Sequence, residues 1–232
     1  MLKKMLTMAV IAMLSYSCGG GGSGSKSPAA TVQASTGDDG TVEGGDTVGD
    51  PAPGPIVTPS QSTVLTGLAQ SFETAVDLIN FTSREAKMRQ AIAIVKMVVG
   101  TTEFKKRVLN HTYRGVRTFV DNRGYSNAQI YQIILEGAEK LRPKKNNQMD
   151  LEVEQYYANN NVVGYTYPNV SQIWVNTKFF DKYTAAGVAR NLFHEWLHKL
   201  GFGHSANWNT ARDYSVPYAI GDIVGEIGKQ FL

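Results

Sequence analysis

Apolar residues recur along this chain with two different periods, and each change of period marks a predicted element. Over residues 63–109 the step is three or four. Leu65, Leu68, Phe72, Val76 and Ile79 share one face there, which predicts a helix. Ser83 is placed to cap a second helix through Ala86, Ile92, Ile94, Val95, Val98 and Val99, ending near Gly100. Thr101 or Thr102 can cap a third through Phe104 and Val108. Residues 113–120 read as a strand, with Val116, Thr118 and Val120 on one side. Ser126 then opens a helix bearing Ile130, Ile133, Ile134, Leu135 and Leu141, stopped at Pro143. Residues 149–157, 162–167 and 172–177 predict three more strands, the last two joined by a turn at Pro168-Asn169. Thr184 caps the next helix, and residues 219–231 form a terminal helix with Ile220, Ile223, Val224, Ile227 and Phe231 inward. Helices and strands in this order predict an α+β fold.

The first sixty residues follow neither period. Lys3 and Lys4 precede an apolar run over residues 5–14, too short to span a bilayer, so residues 1–17 read as a secretory signal. Cys18 is the only cysteine of the 232 residues and follows that run directly. This resembles a bacterial lipoprotein cleavage site in which Cys18 takes the lipid, although Leu14 lies four residues before it and not the usual three. Ordinary signal-peptidase cleavage near Ser17 or Gly19 is the alternative. Residues 18–60 are rich in Gly, Ser, Thr, Pro and acidic side chains, and predict a disordered tether. Residues 61–110 then form a helical lead-in, and residues 111–232 the principal domain. The expected location is the exported bacterial cell envelope, with an N-terminal lipid anchor on the outer membrane or cell surface.

Charge narrows the partners. The net charge is +3, and beyond the first sixty residues Lys105-Lys106-Arg107 and Lys144-Lys145 are the only tight basic clusters. A scattered surplus of this size is a solvated surface, so no nucleic-acid partner is expected.

The chemistry is concentrated in eleven residues: His194-Glu195-Trp196-Leu197-His198-Lys199-Leu200-Gly201-Phe202-Gly203-His204. The chain has four histidines, and three lie in this stretch. At average residue usage the five fixed letters arise by chance in about one chain in 10⁵ of this length. Residues four apart on a helix lie one above the other, so His194 and His198 project toward one ion. Glu195 lies one position round and reaches a water. Gly201 falls where a helix end takes a left-handed residue, and the reversal returns His204. Three neutral nitrogens leave one zinc position open, the arrangement of a catalytic site.

The stretch resembles the active-site signature of the metzincin zinc peptidases, His-Glu-X-X-His-X-X-Gly-X-X-His. No subfamily is assigned. The resemblance implies one catalytic Zn²⁺ held by His194, His198 and His204, with Glu195 as general base. It implies a metzincin-like fold: a small twisted mixed sheet packed on the metal helix. It also implies that the last strand before that helix, bearing Ile173, Trp174, Val175 and Asn176, is an edge pairing with an extended peptide or protein substrate. The chain departs from the family in one respect, because no methionine follows Met149. The methionine turn is matched only by Asp213-Tyr214-Ser215-Val216-Pro217-Tyr218. There Pro217 falls near the methionine position, and Tyr218 near a tyrosine that touches zinc or the oxyanion. An ordinary turn before the last helix reads the same letters equally well.

The implied activity is a zinc-dependent endopeptidase. Two alternatives stay open: a surface-binding lipoprotein whose catalysis is impaired, and a zinc amidase acting on cell-wall cross-links.

Overall fold

Seven alternating residues, Glu73–Ile79, form strand β1, whose even positions turn inward while Glu73, Ala75 and Asp77 stay exposed. A computed structural model describes residues 71–205 and 209–232, all belonging to one compact unit, Ala34–Leu232. The expected signal, Cys18, the tether and the helix face at Leu65 and Leu68 lie outside the described residues. After β1 come helices α1 (Glu85–Val99), α2 (Thr102–Asn110) and α3 (Asn127–Glu136). Strands β2 (Gln148–Tyr156), β3 (Gly164–Thr166) and β4 (Gln172–Asn176) follow, then α4 (Thr177–Phe180), α5 (Ala185–Lys199) and α6 (Val216–Gly228). Short 3₁₀ turns occupy Arg212–Tyr214 and Lys229–Phe231. The described residues thus form a mixed α+β unit with one four-stranded sheet and six α-helices.

The sheet order is β1-β2-β4-β3. β1 runs parallel to β2, placing Val76 opposite Leu151, and β2 runs parallel to β4, placing Val153 opposite Ile173. β3 alone is antiparallel, pairing Tyr165 with Trp174 at the far edge. Met149, Leu151, Val153, Ile173 and Val175 bury one face of the sheet, while Glu152, Glu154, Tyr156, Tyr165 and Trp174 are only half-buried. α5 lies in the middle of the molecule, with Leu192, Phe193, Trp196 and Leu197 fully buried. Burying four such side chains removes enough apolar surface for about 6–12 kcal/mol, so packing and not propensity holds this helix.

Several expectations are corrected. Val76 and Ile79 belong to β1 and not to a helix, because β2 offers the strand a ladder partner that spacing along one segment does not reveal. Residues 113–120 form no strand. Arg114 (φ 51°) and Gly115 (φ 78°) make a tight left-handed turn, closed by Tyr113 N–H to Val116 O at 2.8 Å and Val116 N–H to Tyr113 O at 3.0 Å. Only Val120 continues as a bridge, to Ser215. α3 ends at Gly137 (φ 62°) well before Pro143, leaving Leu141 exposed. Ser83 does not cap α1, whose N-cap is Arg84 without a side-chain bond. Thr101, Ser126 and Thr184 do cap, accepting from Phe104, Gln129 and Gly187 N–H respectively. α6 begins at Val216, with Pro217 in its first turn, where its missing N–H costs nothing.

Candidate metal centre

The three histidines meet because α5 ends in a complete left-handed reversal. Gly201 N–H bonds His198 O at 3.0 Å and Phe202 N–H bonds Leu197 O at 3.1 Å, the paired closure of a Schellman turn. Gly201 adopts φ +97°, and Phe202 folds back into the core beside Leu197. His204 thereby returns to the helix. The nitrogens that His194, His198 and His204 each offer lie within 4.8 Å of one another.

The spacing of the first two fits one tetrahedral ion. His194 Nε2 and His198 Nε2 are 3.3 Å apart. Two tetrahedral arms of about 2.0–2.1 Å subtend an edge of about 3.3–3.4 Å, so the two nitrogens sit as ligands of one centre would. Backbone carbonyls orient the other two rings. His198 Nδ1 donates to Phe202 O at 2.8 Å, and His204 Nδ1 donates to Ser205 O at 3.1 Å. A carbonyl only accepts, so Nδ1 carries the proton on both rings and Nε2 carries the lone pair. His194 and His198 are also kept neutral. Burial pushes His194 well below the usual imidazole range, and the neighbouring His198, His204, Arg190 and Arg212 lower it further. Burial and His204 bring His198 to about 4, against the opposing bond to Phe202. Neutral imidazoles are the form that binds a metal. The cluster can therefore hold a metal ion.

Glu195 is 2% exposed and occupies the helix position after His194. Tyr218, 9% exposed, brings its ring against two ligands, with centroids 4.5 Å from His194 and 4.8 Å from His204. Arg212, 1% exposed, holds its guanidinium carbon 4.8 Å from the same ring centroid. Tyr218 is thus brought to the centre, and what faces the ligands at these distances is its ring. Pro217 is buried in the first turn of α6. A side chain at Gly221 would reach 3.3 Å from His194 Cβ, so this glycine lets α6 lie close under α5.

The expected substrate edge is not where the sequence reading placed it. Ile173, Trp174, Val175 and Asn176 lie in β4, which is flanked by β2 and β3 and is an interior strand. Ile173 and Val175 are core residues. Trp174 stacks on Tyr165 with centroids 5.0 Å apart and donates to Glu154 at 3.0 Å. Asn176, fully buried, caps α4 and donates to Ala158 O and Val162 O. The edge beside the metal helix is β3, which falls within the strand expected at residues 162–167; its place at the sheet edge is what the sequence does not show. Arg212, Asn191 and Lys199 also escaped the motif reading. The spacing Asn191, Glu195, Lys199, four residues apart each time, was the available signal, since it stripes one helix face.

No family model, curated protein or solved structure matches the chain.

Proposed function

We propose that the chain is an exported zinc-dependent endopeptidase resembling the metzincins, anchored at the bacterial cell envelope through a lipid on Cys18. The observation that carries the reading is the convergence of three histidines, two of them held at the spacing of ligands on one tetrahedral centre, beside a buried glutamate. Three nitrogen donors of this kind suit zinc, and leave room for water and a substrate oxygen. Bound there, zinc lowers the pKa of water and polarises the scissile carbonyl.

The remaining steps belong to the chain. Glu195 is the general base: it takes a proton from the attacking water and returns it to the leaving amine. Its burial keeps that proton from bulk solvent. Tyr218 serves in two ways, its ring bracing His194 and His204 and its hydroxyl supporting the carbonyl oxygen as charge develops. The open side of β3 receives an extended substrate by strand addition, with main-chain bonds holding the peptide in register.

Glu195→Gln tests the base. It preserves shape and hydrogen-bonding reach but cannot accept the proton. We expect zinc content by metal analysis to equal that of wild type, and peptide-library cleavage to fall by about 10²–10⁴-fold. Wild-type-level cleavage by the variant sinks the assignment. A wild-type protein that opens cell-wall cross-links but no peptide library is instead an amidase. One that binds zinc and cleaves neither is a binding lipoprotein.

A further inference from the structure

Lys199 follows the ligand His198 and is 5% exposed, although it carries an ammonium. Its Nζ donates to three backbone carbonyls: Tyr167 O at 3.1 Å, Val170 O at 2.6 Å and Gln172 O at 3.0 Å. Those carbonyls belong to the turn joining β3 to β4. Gln172 O accepts a second bond, from Thr166 Oγ1 at 2.7 Å, which draws the end of β3 into the same knot. Burial lowers the ammonium to about 8, with Glu195 and Glu152 acting in the opposite sense.

An apolar side chain would fill this space without the desolvation cost of a buried cation. Three charge-assisted bonds offset that cost, and what they secure is the turn and not the helix. The other end of β3 is held as closely. A Cβ on Gly164 would lie 2.7 Å from Asn191 Oδ1 and 3.1 Å from Trp174 O, so β3 touches α5 there with no space to spare. Asn191, Glu195 and Lys199 are successive residues of one helical stripe. β3 is therefore pinned to the metal helix at both ends, on either side of the general base.

We propose that Lys199 is a substrate-positioning residue, whose three-carbonyl clamp fixes the open edge of β3 at a set distance from Glu195. This deepens the endopeptidase reading and rests on it. The clamp itself does not depend on that reading, because it is made between residues of this chain.

The test uses the full chain, wild type and Lys199→Met, with three measurements: zinc affinity against a chromogenic chelator, amide exchange, and kinetics on a quenched peptide selected from a library by the wild type. Zinc affinity is expected within about threefold of wild type, since no ligand or ligand-orienting group is removed. Exchange of residues 164–172 accelerates about tenfold or more as the turn opens locally. KM rises about tenfold while kcat stays within about threefold, the split expected when ground-state placement and not chemistry is lost. Lys199→Gln, which still offers two donors, falls between the two. Gly164→Ala, which leaves the ammonium in place but pushes β3 off Asn191, shows the same KM signature and is the second line if Lys199→Met does not fold. An unchanged KM in both Lys199→Met and Gly164→Ala overturns the proposal, even where exchange has accelerated. A wild type that binds zinc but cleaves no peptide overturns the endopeptidase reading instead, which the kinetics of wild type alone decide.

Discussion

At the scale of single residues, Tyr218 and His198 carry the most information. The Tyr218 ring lies 4.5 Å and 4.8 Å from two ligand rings, so removing the ring and removing the hydroxyl are different perturbations. Tyr218→Phe keeps the packing and should bind zinc as wild type does, with kcat lowered by about tenfold to 10³-fold. Tyr218→Ala removes the ring packed against His194 and His204, and chelator competition should show weaker zinc binding as well. Equal zinc affinity in both variants would falsify the bracing role. The imidazoles set a pH dependence whose sign is fixed by burial. His198 titrates at about 4 in the fold, against an ordinary value of 6.5. Above 6.5 the ring is neutral in both states and costs nothing. As pH falls from 6.5 toward 4 the unfolded chain takes up a proton that the fold refuses, and stability declines throughout that window. His194, shifted in the same direction, adds to the decline. Urea melts of metal-stripped protein at pH 7, 5.5 and 4.5 should show a falling midpoint. Excess zinc should raise it at pH 7 and progressively less below.

At the scale of elements, α5 and its reversal can be tested at either end. Gly201→Ala forces a Cβ onto φ +97° and to within 2.6 Å of Arg123 Nη1 and Lys140 Cε. It should cost about 1–2 kcal/mol in stability from the left-handed backbone alone, and should displace His204 and weaken zinc binding. Thr184→Ala removes the opposite cap and should cost about 1 kcal/mol without touching zinc affinity. Calorimetry with and without the metal separates the two. These elements are legible in the sequence because their determinants are local: a capping threonine, imidazoles four apart, and a glycine after the last turn. The sheet is less legible. Phe72, Val76 and Ile79 suit a helical face as well as they suit β1, and only the pairing of Glu73 with Gln148 and its successors decides. β4 reads correctly as a strand, but nothing within it shows that β3 will cover its outer side. Lys199 reads as one more surface cation until the turn carbonyls of residues 167–172 close round it.

At the scale of the molecule, the metal helix is supported by segments far from it in sequence. α5 packs against α1 and α6 as well as the sheet, and Phe72 meets Trp196 edge-on with centroids 5.7 Å apart. Trp196 in turn donates to the buried Glu139 carboxyl at 2.6 Å, which also accepts Asp150 N–H at 3.0 Å. The expected division at residue 110 has no physical counterpart in these contacts, since β1 and α1 are built into the same sheet and core. A chain shortened to begin at residue 111 should fail to give a cooperative melt, whereas one beginning at residue 61 should melt as the full chain does. The proposed anchor is tested separately. Cys18→Ser should move the protein from the detergent-soluble membrane fraction to the medium or periplasm, with peptide cleavage retained.

The pairing of β1 with β2 also limits how the proposed enzyme could be held dormant. Many secreted hydrolases are made as zymogens and are switched on when an N-terminal piece is cut away. Here a cut anywhere between β1 and α3 that released the upstream piece would take a sheet strand, and Phe72 beside it, out of the core. It would dismantle the fold that holds the proposed site instead of unmasking it. An N-terminal piece released during maturation must therefore end on the N-terminal side of Phe72.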